Sequence, residues 1–206
     1  GAVGGSAGGG WVELARTTLG SALDVIDVTS LADKRYYMFL LDAQPTGVIE
    51  SGYRLNTDSG SNYAWRQSTD GAGDTTSGAS SNNINGDALT PSGSSFSVGY
   101  VANLSTKEKL LMSHNTSFST AGAGTAPNRM ETVGKHVQTT NPVTAIGSTN
   151  FGAGSYNTGA EMVVLGWDPT DTHTSDFWEE LGSADLSGGV ADTLNVSIAD
   201  KKYLWV

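Results

Sequence analysis

The feature that most constrains this chain is an internal repeat at the scale of a domain. Residues 11–39 align without a gap to residues 178–206, at an offset of 167 positions. The identical pairs are Trp11/Trp178, Glu13/Glu180, Leu14/Leu181, Leu19/Leu186, Ser30/Ser197, Ala32/Ala199, Asp33/Asp200, Lys34/Lys201 and Tyr36/Tyr203. A one-residue slip would instead pair 24–28 with 192–196, which leaves the central register open. Because the shared pattern spans the whole segment, both copies are predicted to form the same structural unit.

Two organisations account for the repeat. In the first, residues 11–170 form a sandwich domain, and residues 171–206 hold a connector and the first strands of a second copy. In the second, the two copies are symmetric halves of one sandwich. The tandem organisation requires the second copy to contact more chain or a neighbouring subunit, because a few isolated strands are only marginally stable in water. The residues predicted to make this assembly contact are Trp178, Leu181, Leu186 and Tyr203.

The composition and the apolar pattern together predict β-structure. Gly, Ser, Thr and Asn supply 86 of the 206 residues. Glycine destabilises a helix by about 1 kcal/mol relative to alanine, and the other three residues compete for backbone hydrogen bonds. Alternation of apolar and polar residues predicts strands at 12–19, 24–29, 34–42, 47–56, 61–67, 94–103, 107–113, 129–138, 142–149 and 160–167. We therefore predict an all-β fold, an antiparallel β-sandwich of jelly-roll type with a partial second copy at the C-terminus.

The segments between the predicted strands differ in character. Residues 1–10 are glycine-rich, which is typical of a flexible arm or linker. Residues 68–93 and 114–127 hold few large apolar side chains, so we expect long solvent-exposed loops there. The continuous apolar run at 161–167 instead predicts a strand that is buried on both faces.

Charge and cysteine content exclude several classes of protein. The chain has no cysteine, which rules out a disulfide scaffold, a thiolate zinc site and a cysteine nucleophile. It carries 11 Lys and Arg against 21 Asp and Glu, so it has no basic surface to displace the counterions of a nucleic acid. No apolar run approaches the roughly 18 to 20 residues of a membrane-spanning helix. We expect neither nucleic acid nor a membrane as a partner.

The chain is also predicted not to be an enzyme. The histidines are His114, His136 and His173, and each stands apart from the others in the sequence. No Gly-x-Ser-x-Gly element follows a strand, as a serine hydrolase of the α/β type would require. The sequence therefore provides no recognisable catalytic motif.

Calcium is the one cofactor that the sequence leaves open. Asp168, Asp171 and His173 lie within one stretch of six residues. Asp70 and Asp74 flank a short glycine-rich turn. Carboxylate oxygens are the ligands that Ca²⁺ prefers, although neither spacing is that of an EF-hand loop. The alternative is that these aspartates supply turn hydrogen bonds and solubility. Asp168 and Asp171 are the predicted metal ligands.

A carbohydrate site is predicted after the turn at 58–62. Tyr63 and Trp65 are two positions apart, so they share one face of a strand, and Arg66 follows them. An exposed aromatic ring can stack on the face of a sugar while a nearby charged group binds its hydroxyls. The alternative is that both rings belong to the packed core of the sandwich.

Several segments resemble the repeated β-sandwich modules of viral and phage structural proteins. They are WVEL at 11–14, LADKRY at 31–36, RLNTDSGSNYAWR at 54–66 and VLGWD at 164–168. The resemblance implies a non-enzymatic component of a virion surface or other extracellular assembly, such as a capsid decoration protein, a head fibre or a tail fibre. It also implies a homo-oligomer in contact with other virion proteins. The alternative function is a carbohydrate-binding or adhesion module that recognises cell-surface glycans.

Overall fold

The computed structural model describes residues 10–89 and 93–168, and strands are the only regular secondary structure within them. The strands are β1 (Val12–Thr18), β2 (Val25–Val28), β3 (Tyr36–Ala43), β4 (Ile49–Leu55), β5 (Tyr63–Thr69), β6 (Thr75–Ser81), β7 (Ile84–Leu89), β8 (Ser94–Ala102), β9 (Lys109–Phe118), β10 (Asn128–His136), β11 (Ile146–Asn150) and β12 (Glu161–Trp167). Across these residues there is no helix with the length and apolar character needed to cross a membrane.

The strands form two sheets that pack face to face. The large sheet has eight strands in the order β1-β12-β3-β8-β9-β10-β5-β6, and the small sheet has four in the order β2-β11-β4-β7. Every pair of neighbouring strands is antiparallel. The predicted all-β antiparallel sandwich is confirmed, while the jelly-roll connectivity and the C-terminal copy stay predictions.

All ten predicted strands form, and two further strands lie where a loop was predicted. β6 and β7 occupy half of residues 68–93, so the expectation of one long loop there was wrong. Their sequences, TTSGASS and INGDAL, are poor in the β-branched and aromatic residues that favour strands. They form because β6 pairs with β5 and β7 pairs with β4, each at the edge of its sheet. The second predicted loop is shorter than expected, since β9 continues to Phe118.

An asparagine side chain explains why β11 begins later than the predicted start at 142. Asn56, whose φ is 56°, accepts hydrogen bonds at Oδ1 from the backbone N–H of Thr144 and of Ala145, at 2.7 and 3.2 Å. Its Nδ2 donates to the carbonyl oxygen of Pro142 at 2.9 Å. The N–H groups of Thr144 and Ala145 are therefore bonded to a side chain rather than to the backbone of a strand neighbour.

The core lies between the sheets and is rich in aromatic residues. Phe39 of β3 and Tyr53 of β4 belong to opposite sheets, and their ring centroids are 4.8 Å apart. The fully or nearly buried members of this core include Leu19, Ile26, Val28, Leu31, Tyr37, Phe39, Leu41, Ile49, Tyr53, Leu55, Tyr63, Ile84, Ile146, Tyr156, Met162 and Val164. This cluster is what holds the two sheets together.

β3 and β12 are buried on their other face as well. Met38, Leu40, Val163 and Leu165 form a second buried cluster, against which Trp11, Val98 and Tyr100 pack. These side chains alternate along their strands with those of the main core, so they lie on the face of the large sheet that points away from the small sheet. We call this the outer face. The prediction that 161–167 is buried on both faces is confirmed.

Candidate functional site

The outer face of the large sheet exposes apolar side chains at its centre. Burial alternates strictly along β9, so that Leu110 and Met112 point outward while their neighbours point into the core. Leu110 is 57% exposed, Met112 49% and Val133 of β10 50%. The strand register places Met112 between Val133 and Tyr100 of the adjoining strands. Contiguous exposed apolar surface of this kind marks an interaction site more often than a scattered single residue does.

Four aromatic side chains stand beside this apolar strip, and we call them the aromatic wall: Trp11, Tyr36, Tyr100 and Trp167. Tyr36 and Trp167 are register partners, and their rings stack with centroids 5.4 Å apart and an interplanar angle of 20°. The Trp11 ring lies 6.2 Å from that of Tyr100 and 6.3 Å from that of Trp167. Each ring is held by another ring, so the wall is pre-formed before any partner binds.

The aromatic wall and the apolar strip border one open groove of about 890 Å³. Its residues come from β3, β5, β6, β8, β9, β10 and β12, with Trp11 just before β1, so it extends across the large sheet. The charged side chains at its rim are Arg66 and Lys135. Arg66 pairs with Asp74 at 2.7 Å and Lys135 with Glu108 at 2.8 Å, and all four side chains are substantially exposed. Ion pairs exposed to this degree contribute little to stability.

A smaller pocket of about 220 Å³ adjoins the groove at the strand pair β9–β10. His114 and Glu131 are register partners that line it, together with Arg66 and Asp74. The groove is therefore apolar along most of its length and carries ionisable groups of both signs at one end.

Of the three residues predicted to bind carbohydrate, Trp65 and Arg66 both line the groove, whereas Tyr63 does not. Tyr63 and Trp65 share a strand face, but that face is the inner one, and both pack against the main core. Tyr63 is 2% exposed, and its hydroxyl bonds the backbone of Leu55. Trp65 is half-buried, and its Nε1 donates to Ser81 Oγ at 3.2 Å. The sugar-stacking role predicted for Tyr63 was wrong, because its ring is enclosed, while Arg66 lies on the rim of the outer groove.

No family model, curated protein or solved structure matches this chain.

The predicted metal and assembly residues fall largely outside the described residues. Asp168 is the last described residue before 169–206, and Asp171, Trp178, Leu181, Leu186 and Tyr203 lie beyond it. Asp70 and Asp74 are described: Asp70 Oδ1 accepts from the N–H of Arg129 at 2.7 Å, and Asp74 pairs with Arg66. Within residues 10–89 and 93–168 there is no group of three or more His, Asp or Glu side chains that could hold a metal ion. The calcium site at Asp168 and Asp171 stays a prediction.

A buried histidine and a turn aspartate fix the start of β5. Asp58 accepts hydrogen bonds from the N–H of Gly60 at 2.7 Å and from Asn62 Nδ2 at 2.8 Å. Its Oδ2 also lies 2.8 Å from Nε2 of His136, whose ring stacks on Tyr63 at 4.6 Å. The hydrogen bond from His136, with those from Asn62 and Gly60, lowers the pKa of Asp58 to about 2. These contacts tie the turn at 58–62 to the end of β10.

The Asp58 contacts predict a loss of stability in acid. Because the pKa of Asp58 in the folded protein, about 2, lies below the ordinary value of 3.8, the contribution is complete above pH 4 and is lost as the pH falls through 2. Asp58→Asn should lower the free energy of unfolding by on the order of 1 kcal/mol near neutrality. Urea denaturation at several pH values should show the difference from wild type shrinking between pH 4 and 2.

Asp74→Asn is the matched control for this measurement. Asp74 accepts a hydrogen bond from the guanidinium of Arg66, and both side chains are exposed. We expect a change within about 0.5 kcal/mol at every pH. An Asp58→Asn protein whose deficit stayed constant down to pH 2 would show that the carboxylate charge is not what stabilises the turn.

Apart from Trp65 and Arg66, the groove residues were not predicted from the sequence. The signal that could have indicated them is Leu110-Leu111-Met112, three consecutive apolar residues in a strand that otherwise alternates. Because successive side chains point to opposite faces, such a run must place apolar groups on both faces of the sheet.

Proposed function

We propose that this chain is a non-enzymatic structural protein of an extracellular assembly, of the capsid-decoration, head-fibre or tail-fibre type, in which the sandwich is one module of a series. The observation that carries the proposal is the position of the chain ends of the sandwich. β1 pairs with β12, with Val12 opposite Gly166, and the rings of Trp11 and Trp167 are in contact. The chain therefore enters and leaves the sandwich at one edge, as a unit that can be repeated along a chain does.

The repeat supports this proposal because three apolar positions shared by the two copies belong to the core of the first copy. Leu19 and Leu31 are 6% and 4% exposed, and Leu14 packs against the same core. The equivalent residues of the second copy are Leu186, Ile198 and Leu181. A segment that keeps the core positions of β1–β3 has the side chains needed to begin a second sandwich.

Burial also favours one of the two registers that the sequence left open. Ile26 and Val28 of β2 are 0% and 1% exposed. The ungapped alignment places Thr193 and Asn195 at these positions, whereas the slipped alignment places Leu194 and Val196 there. Because leaving apolar groups in the core is favourable and burying unpaired polar groups is costly, we infer the slipped register for this strand.

Shortening the chain tests the proposal. A chain ended at Asp168 keeps all twelve strands and both apolar clusters. It should therefore retain a single cooperative unfolding transition, with a free energy within about 1 kcal/mol of that of the same transition in the full chain. Sedimentation velocity of both proteins over a range of concentrations should show weaker self-association of the short one.

Outright unfolding of the shortened chain would contradict the tandem organisation. It would mean that residues 178–206 complete the first sandwich, as the symmetric-halves organisation requires. A control that removes only residues 1–9 should change neither the unfolding transition nor the sedimentation.

A second candidate function is glycan binding, which one observation favours. The aromatic wall offers four half-buried rings in a surface groove, with Arg66 and Lys135 at its rim. A glycan array probed with the full chain should then give binding that Tyr36→Ala weakens and that Phe151→Ala, at an exposed ring next to β11 of the small sheet, leaves unchanged. An array with no bound glycan would remove this candidate.

A further inference from the structure

The apolar groove on the outer face lies beside the point where the chain leaves the sandwich. Trp167, the last residue of β12, is part of the aromatic wall, and the second copy begins at Trp178. Residues 168–177 can span roughly 35 Å when extended. The groove from β12 to β10 crosses four strand spacings, which is about 19 Å. The start of the second copy can therefore reach every part of the groove between these strands.

The two surfaces also match in chemistry. The groove is apolar at its centre and has Arg66 and Lys135 at the rim farther from Trp167. The chain from 171 to 185 combines Phe177 and Trp178, which are not needed for the core of the second module, with several acidic residues and no Lys or Arg. Its acidic residues are Asp171, Asp176, Glu179, Glu180 and Asp185. Arg66 and Lys135 already pair with Asp74 and Glu108, so the match lies in the apolar side chains, which suit the apolar centre of the groove.

We propose that the groove is the contact surface between consecutive modules, and that its occupant is the second repeat copy, residues 178–206, of the same chain. This inference rests on the proposed function, since it requires the second copy to begin another module. Docking in the same chain is favoured because the short connector holds the copy at a high effective concentration beside the groove. Docking of the second copy would also cover Leu110, Met112 and Val133, which the sandwich by itself exposes to water.

Site-specific crosslinking in the full chain tests the proposal, and the lack of native cysteine makes a single engineered cysteine unique. Leu110→Cys carries a benzophenone label in the groove, and Val48→Cys carries it before β4 of the small sheet. The two native side chains are similarly exposed, at 57% and 48%. Equal amounts of isotopically light and heavy chains are mixed before irradiation, and crosslinked peptides are identified by mass spectrometry. We expect the Leu110→Cys label to crosslink to 178–206 within one chain, and at least about tenfold less product in that segment from Val48→Cys.

Hydrogen exchange of the double variant L110D/M112D provides a second measurement. Both positions are exposed, so the sandwich should stay folded and keep its own exchange pattern. Exchange in 178–206 should become at least about tenfold faster than in wild type, while Val48→Asp leaves it unchanged.

The outcomes separate the failure of this inference from that of the proposed function. Crosslinks between light and heavy chains would show a second copy of the chain in the groove and overturn docking within one chain. Protection of 178–206 that L110D/M112D does not alter would overturn groove docking and leave the serial modules in place. Exchange in 178–206 as fast as in an unfolded chain, in wild type, would overturn groove docking, whereas the proposed function is tested separately by the chain that ends at Asp168.

Discussion

Replacing Phe39 with alanine should lower the free energy of unfolding by about 3 to 5 kcal/mol, the range found when a buried aromatic side chain is removed. Phe39 is 0% exposed, lies against Tyr53 of the opposite sheet, and is covered on another side by Gly99 of β8. A Cβ at position 99 would lie 2.1 Å from the Phe39 ring, so glycine there makes room for it. Urea denaturation followed by circular dichroism measures the change.

Phe96→Ala is the matched control for this substitution. Phe96 lies on β8 of the same sheet but on its outer face, where it is 37% exposed. We expect the free energy of unfolding to fall by less than about 1 kcal/mol, because the side chain loses less contact with the protein. Equal effects of the two substitutions would mean that the contact between the sheets is not centred on Phe39 and Tyr53.

The second large effect is expected in alkali. Burial raises the pKa of Tyr37 and that of Tyr63 to about 12, and it also raises the pKa of the fully buried Tyr156. Because these values lie above the ordinary 10, the folded state holds its protons more tightly than the unfolded state. The stabilisation is complete below pH 10 and is lost as the pH rises through 12, by about 2 to 3 kcal/mol for each of Tyr37 and Tyr63.

The measurement is a pH titration that follows tyrosinate absorbance and far-ultraviolet circular dichroism together. The two signals should change in one cooperative step between pH 10 and 12, since the buried hydroxyls ionise as the sandwich opens. Tyr156→Phe removes the hydroxyl that bonds Ser148 at 2.7 Å, so it should lower the free energy of unfolding near neutrality. Because the variant has one fewer buried hydroxyl to ionise, it should lose less of its remaining stability than wild type does as the pH rises.

Tyr100→Phe serves as the comparison, because Tyr100 is only half-buried on the outer face. Its effect on the alkaline midpoint should be smaller than that of Tyr156→Phe. Ionisation of all tyrosines well before the loss of circular dichroism would show that these hydroxyls do not resist deprotonation in the folded protein.

Sequence patterns predicted most of the fold because ten of the twelve strands in the described residues carry a local pattern of apolar and polar residues. Alternation in β8, β9 and β10 follows from one face packing on a core, and the continuous run in β12 follows from burial on two faces. β6 and β7 lack such a signal, since they are edge strands with few β-branched and aromatic residues. They form because they pair with β5 and β4, and not because their residues favour strands.

The candidate site could be predicted less well for a related reason. Alternation shows that Tyr63 and Trp65 share a face, but it does not show whether that face meets the small sheet or water. The position of the small sheet decides the matter, and it places both rings against the core. The groove depends on the register of eight strands, which brings together residues from Trp11 to Trp167 that are remote in the chain.

The sequence by itself determined the fold class, ten of the twelve strands, and the repeat that links 11–39 to 178–206, because these depend on local periodicity and on similarity along the chain. Only the tertiary structure decided that Trp11 meets Trp167, that the predicted sugar-binding ring of Tyr63 is enclosed, and that the apolar groove lies on the outer face. The physical reason is that each of these features is a relation between strands that are far apart in sequence. Strand pairing and the packing of the two sheets determine these contacts, which cannot be read from the sequence of any one strand.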